Sequence, residues 1–188
     1  MKLVVGLGNY PKEYENTRHN VGFMVIDAWL KRHEVVLDQN KFKGWYVKFK
    51  NQDDEHWIVA KPYTYMNLSG EFIRSLADFY KINPEDILVI LDDVDLPVGT
   101  WRVKQTGSSG GQKGMQNIIN LLCREDINWI RIGIGRLTHG DMVSWVTGKF
   151  TDTERKKVQP AILKSVDFMD ELMSGTDFER AVSKFNLK

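Results

Sequence analysis

The sequence predicts an α/β protein: a single domain over residues 1–188, built on a mixed, largely parallel twisted sheet with helices on both faces. Three observations lead there. Residues 3–7 (LVVGL) and 87–91 (ILVIL) are short apolar runs of the kind found in strands buried on both faces. Strand-like runs alternate along the chain with segments whose apolar residues recur at helical spacing. Residues 43–50 and 56–60, separated by Asn51-Gln52-Asp53-Asp54, read as one added hairpin. At 188 residues the chain can bury a sizeable core without dividing.

The elements follow in order. After the first strand, Gly6 and Gly8 are expected to let the backbone turn, and Asn9 stands at the strand's carboxyl end. A polar loop closes with Thr17-Arg18-His19-Asn20. Residues 20–32 then read as an amphipathic helix, with Val21, Met24, Val25, Ala28 and Trp29 on one face and Asn20 at the N-cap. The hairpin follows, ended by Pro62. The next helix runs to about Lys81, with Phe72, Ile73, Leu76, Ala77 and Tyr80 aligned and Asn67 or Ser69 as its cap. The strand at 87–91 ends in Asp92-Asp93-Val94-Asp95. Carboxylates at the end of a buried strand are costly unless solvated, capping or paired, so this end marks a site.

Residues 100–104 read as a strand. The glycine-rich stretch 107–114 (GSSGGQKG) leads into a helix carrying Met115, Ile118, Ile119 and Leu122. A strand at 128–134 and helices at 142–149, 151–174 and 176–184 complete the chain. No internal repeat or low-complexity segment occurs.

Composition narrows the function classes. The single Cys123 excludes an intramolecular disulfide and a cysteine-cluster metal site, and fits a reducing cytoplasm. No apolar run is long enough to span a bilayer, and the glycine-broken N-terminus lacks a signal-peptide pattern. The net charge of +1 hides an uneven distribution: 12 basic against 15 acidic residues over 1–98, but 7 against 3 over 99–149. A basic middle in a neutral chain fits a small anionic partner or a limited nucleic-acid contact.

Ready-made motifs mostly fail. Pro11 stands where G-x-G-x-x-G needs its third glycine, and Lys113 lacks the Gly-Lys-Ser/Thr of a P-loop. Gly107, Ser109 and Gly111 formally meet G-x-S-x-G, but His19 and Asp92 precede the serine, against the chain order of that class. A turn binding an anion through backbone N–H groups is an equal reading. The histidines are scattered with no pair at ligand spacing, so no metal or cofactor is expected. What remains is His19 with an acidic partner. Imidazole titrates near ~6.5 and can take a proton from water at neutral pH. A carboxylate such as Asp92 fixes its tautomer, and the amides of Asn9 and Asn67 hold water or a carbonyl without adding charge.

Taken together, VGLGN (5–9), TRHNVGF (17–23), KPYTYMNLSG (61–70), DDVDLPVG (92–99), GSSGG (107–111) and RIGIG (131–135) resemble bacterial peptidyl-tRNA hydrolases, in the same order along the chain. The resemblance implies hydrolysis of the ester between a peptide and the 3′ ribose of tRNA, recycling tRNA from aborted translation. By position it implies His19 as general base, Asp92 as its orienting acid, and Asn9 and Asn67 as the amides placing water and substrate. Met66 and Tyr14 would shape the pocket. Lys104 and Arg131 match the family's grip on the tRNA 5′ phosphate, in accord with the basic middle. A cytoplasmic monomer without an obligatory protein partner is expected.

Two departures stand out. The family usually reads Gly-Gly-His-Asn-Gly where this chain has Gly111-Gln112-Lys113-Gly114, so Lys113 replaces a substrate-contacting asparagine. Lysine is a donor but cannot accept a hydrogen bond. Tyr10-Pro11 replaces the usual Pro-Gly after Asn9. The competing readings are a non-catalytic RNA-binding paralogue, which Lys113 would fit, and a serine esterase using Ser109.

Overall fold

The computed structural model describes residues 1–187. Its frame is a seven-stranded mixed sheet with strand order β2-β3-β4-β1-β5-β7-β6. The strands are β1 (Lys2–Gly6), β2 (Gln39–Lys41), β3 (Gly44–Lys50), β4 (His56–Pro62), β5 (Ile87–Asp93), β6 (Trp101–Lys104) and β7 (Asn128–Gly133). The four central strands, β4, β1, β5 and β7, are parallel. The expected hairpin is the antiparallel pair β3–β4, and β6 lies antiparallel to β7 at the far edge. The edge strand β2 was not foreseen, because three polar residues carry no strand signal.

Helices α1 (Val21–His33), α2 (Ser69–Tyr80), α3 (Lys113–Leu122), α4 (Met142–Val146), α5 (Asp152–Met173) and α6 (Phe178–Asn186) fall in the expected helical segments, with α4 stopping short of the expected end at 149. Alternation along the strands divides the core into two layers. Val4, Val59, Leu88, Ile90, Ile130 and Ile132 face Val25, Ile26 and Trp29 of α1 and Val158, Ile162 and Phe168 of α5. Leu3, Val5, Ile58, Val89 and Leu91 face Phe72, Ile73 and Leu76 of α2 and Met115 and Ile118 of α3. Helices therefore cover both faces, as a central run of apolar strands requires.

Strand β1 enters the sheet first. The chain then runs out to the edge strand β2, returns through β3 to β4 beside β1, and crosses to β5 and β7 on the other side. The carboxyl ends of β1 and β5 thus flank a topological switch point, where open α/β sheets leave a crevice.

Two local expectations needed correction. Gly6 does not supply a turn conformation, since its φ is not positive. It permits close approach: a Cβ there would lie 2.2 Å from the Gly22 carbonyl oxygen, and one on Gly22 would lie 2.4 Å from that of Ile90. The pair lets α1 sit directly against the strand ends. Nor do the expected asparagine and serine caps form. Neither α1 nor α2 has a side-chain cap. Ser69 Oγ donates to the Met66 carbonyl, and Asn20 is used elsewhere.

Candidate active site

The loops after β1, β4 and β5 and the start of α3 surround a cleft of about 630 Å³. Of the residues singled out in the sequence, Asn9, Tyr14, His19, Met66, Asn67, Asp92, Lys113 and Arg131 all line it, whereas Lys104 does not. They come from segments more than 100 residues apart, and the switch point brings them together.

Asp92 continues the alternation of Leu88 and Ile90 and so points to the α1 face. His19 lies in the turn that enters α1, which the Gly6–Gly22 contact presses onto the same strand end. The two side chains meet: His19 Nδ1 donates to Asp92 Oδ2 at 2.7 Å. His19 is 9% exposed and Asp92 1%. A carboxylate only accepts, so it holds the proton on Nδ1 and leaves Nε2 as a lone-pair acceptor. Among the described residues Nε2 has no partner, and the ring borders the cleft.

The second carboxylate oxygen is also held. Gln112 Nε2 donates to Asp92 Oδ1 at 3.0 Å. The same side chain caps α3, its Oε1 accepting from the Met115 N–H at 2.7 Å. One amide thus ties the acid to a helix N-terminus. The sequence marked Gln112 only as a departure from the family pattern and missed this role. An amide with both a donor and an acceptor was the available signal.

Asn9 is fixed from three sides. Its N–H donates to Asn20 Oδ1 at 2.8 Å, its carbonyl accepts from Asn20 Nδ2 at 3.0 Å, and its Oδ1 accepts from the Met66 N–H at 2.6 Å. Those bonds orient the amide so that Nδ2 is the free group, a neutral donor beside the histidine. Asn20 is therefore a clamp on Asn9. Asn67 and Lys113 are exposed on the cleft's rim.

Arg131 is 6% exposed, and its guanidinium donates to the Ser108 and Ser109 carbonyls and lies 3.5 Å from Asp93. It holds the glycine-rich loop against the sheet. The expected phosphate pair is thus one exposed cation, Lys104, and one buried cation already engaged. Ser109 is no nucleophile: its hydroxyl donates to Gln116 Oε1 at 2.8 Å, it is 6% exposed, and it does not line the cleft.

Helix α4 forms the opposite wall through Met142, Val143 and Val146. Arg18 ties it to the histidine turn, donating to the Trp145 carbonyl and to Glu154 and stacking 3.5 Å over the Trp145 ring. These partners lie 127 and 136 residues away, so no local pattern could reveal them. Among the described residues, no group of three or more histidine, cysteine or acidic side chains is placed to hold a metal ion. No helix among them is long and apolar enough to cross a membrane.

Comparison with known proteins identifies the family. A family model described as peptidyl-tRNA hydrolase matches residues 3–188. The peptidyl-tRNA hydrolase of Malacoplasma penetrans is 49% identical over 185 residues, 98% of each chain. That of Listeria welshimeri is 44% identical over 186 residues, 99% of this chain and all of the other. Among solved structures, the peptidyl-tRNA hydrolase of Acinetobacter baumannii superposes with a TM-score of 0.90 at 31% identity, covering 99% of this chain and 94% of its own. Sequence and fold lead to one conclusion: the chain belongs to the peptidyl-tRNA hydrolase family.

Proposed function

We propose that this protein hydrolyses the ester between the peptide and the 3′ ribose of peptidyl-tRNA, freeing the tRNA for reuse, with His19 as general base. One observation carries the mechanism: a buried His19–Asp92 pair, bonded at 2.7 Å, whose second imidazole nitrogen faces the cleft. Water held at Nε2 gives up its proton to the ring as its oxygen attacks the ester carbonyl. Asp92 stabilises the imidazolium that forms. Asn9 Nδ2, and Asn67 on the rim, donate to the carbonyl oxygen as negative charge develops there. The tetrahedral adduct collapses with cleavage of the bond to O3′, and His19 returns the proton to the leaving oxygen. The products are a peptide carboxylic acid and a tRNA 3′ hydroxyl. No covalent enzyme intermediate is required.

The acceptor end enters along the basic side, past Arg136 and Lys113, with Lys104 offered to the 5′ phosphate. Arg131 serves this side by ordering residues 108 and 109. Met66 and Tyr14 shape the pocket at the ester. The exposed thiol of Cys123 suits a reducing cytoplasm, where we expect the protein to act as a monomer.

The test is release of N-acetyl-amino acid from N-acetyl-aminoacyl-tRNA, with EDTA present. We expect turnover by the wild type and its near-complete loss in His19→Ala. A folded wild type that binds tRNA in a salt-sensitive manner but releases nothing would overturn the hydrolase reading and favour a non-catalytic RNA-binding paralogue. An undiminished His19→Ala rate would remove His19 from the mechanism.

A further inference from the structure

A second cleft, of about 830 Å³, lies on the other side of Asn9 from the catalytic pair. Phe23, Met24 and Leu30 of α1, Val35 beyond it, Trp45 of β3 and Pro62 of β4 give it apolar walls. Its ionic groups balance. Lys12 and Lys61 stand beside Glu15 and Asp27, and Lys61 is paired with Asp27 at 2.6 Å.

The two clefts are joined by a row of tyrosines. Tyr63 and Tyr10 border the second cleft, and Tyr65 and Tyr14 border the catalytic one. Their rings meet edge to face in sequence: Tyr63 to Tyr10 at 4.7 Å, Tyr10 to Tyr65 at 5.4 Å, Tyr65 to Tyr14 at 6.4 Å. Tyr10, Tyr63 and Tyr65 are 38%, 52% and 46% exposed. Of the nine large apolar side chains exposed among the described residues, Tyr10, Val36, Tyr63, Tyr65 and Val143 line one cleft or the other. This clustering is not the scatter expected of incidental surface residues. Tyr10 is the link in the row, and it stands where the family usually has proline.

We propose that this row and the cleft beyond it form an extended subsite for the peptide half of the substrate, taking apolar or aromatic side chains a few residues upstream of the ester. The proposal rests on the hydrolase reading above. Charge decides which half of the substrate runs this way. Arg131 and Arg136 at the catalytic cleft are paired with Asp93 and Asp95, but Lys113 on its rim and Lys104 exposed on β6 have no acidic partner among the described residues, which gives this side a positive flank suited to a phosphate chain. The tyrosine side is electrically balanced and apolar, and offers a phosphate chain nothing to neutralise. Tyrosines present rigid amphipathic faces that hold peptide side chains with little loss of conformational freedom. At about 3.3 Å per residue, the row accommodates at most about five residues of extended peptide.

The proposal predicts a length and sequence preference. Two substrates on the same tRNA serve as probes: N-acetyl-aminoacyl-tRNA, and a hexapeptidyl-tRNA with the same ester-linked residue and Leu and Phe at the third to fifth positions from the ester. We expect the wild type to favour the longer one in kcat/KM by roughly tenfold or more. We expect Tyr10→Ala and Tyr63→Ala each to erase much of that preference while leaving the short substrate's rate unchanged. Tyr63 is half exposed, so its truncation keeps the test available if Tyr10→Ala misfolds. Replacing Leu and Phe by Gly and Ser should mimic the variants. Equal kcat/KM for both substrates in the wild type overturns the subsite. So does an equal loss on both in each variant, which would assign the tyrosines to the tRNA or to the fold. No turnover of either substrate by the wild type would instead refute the hydrolase reading itself.

Discussion

The floor of the catalytic cleft and its rim are built differently. On the floor, His19, Asp92, Gln112, Asn9 and Asn20 are each no more than 9% exposed and are hydrogen-bonded to one another or to neighbouring backbone. On the rim, Asn67 and Lys113 are exposed, as is Lys104 further out, and among the described residues no hydrogen bond holds their side chains. Buried polar groups must be satisfied, so each floor residue is locked by the next. Rim residues pay nothing of the kind and are free to differ. The chain's two adjacent departures from the family pattern illustrate both cases. At the floor position, Gln112 fills a donor and an acceptor role at once. At the rim position, Lys113 introduces a charge that water solvates.

Substitutions along the two regions should separate accordingly. The largest effect belongs to His19→Ala: we expect kcat to fall by about 10²–10⁴ with little change in tRNA affinity, measured by single-turnover release. Asp92→Asn comes next. It keeps the shape but removes the anion that sets the His19 tautomer, and should lower kcat by about 10²-fold or more in a protein with native circular dichroism. Gln112→Ala is the sharper probe of the floor, because the Gln112 amide ties Asp92 to the start of α3. It strands Asp92 Oδ1 and the Met115 N–H, so urea denaturation should show a loss of about 1–3 kcal/mol together with a slower rate. A variant as stable and fast as wild type would show that the floor is not a connected network. The smallest effect should come from the rim. Lys104→Ala should leave kcat unchanged, raise KM and reduce the slope of log affinity against log salt by about 1. A fall in kcat there would erase the distinction between the two regions.

Much of the site was legible before folding. Asp92 stood out because a carboxylate at the end of an apolar strand is a costly placement without a use, and His19 because it closes the loop that follows a buried strand. Asn9 stood out because it follows a buried strand directly. The tertiary clamps were not legible. Asn20 sits beside a helix start, where asparagine ordinarily caps, and local chemistry favoured that reading over a clamp on Asn9. The resemblance offered Arg131 for the tRNA phosphate, and nothing local showed that the β7 register also places it under the loop of Ser108 and Ser109.

By itself the sequence determined the main elements, though not the edge strand β2, together with the layering and the chemical inventory. Periodicity of 2 and 3.6 and the order of apolar runs are local properties, and burying those faces leaves one architecture. It also determined the family through motifs kept in order. Only the tertiary structure decided which polar groups meet: that Asp92 faces His19 and Gln112, that Asn20 holds Asn9, that Arg18 reaches α4, and that four tyrosines form one row. The meeting of His19 with Asp92 depends on strand order and on the close approach allowed at Gly6 and Gly22. Hydrogen bonds and ring contacts act over a few ångströms in space, and separation along the chain does not encode them.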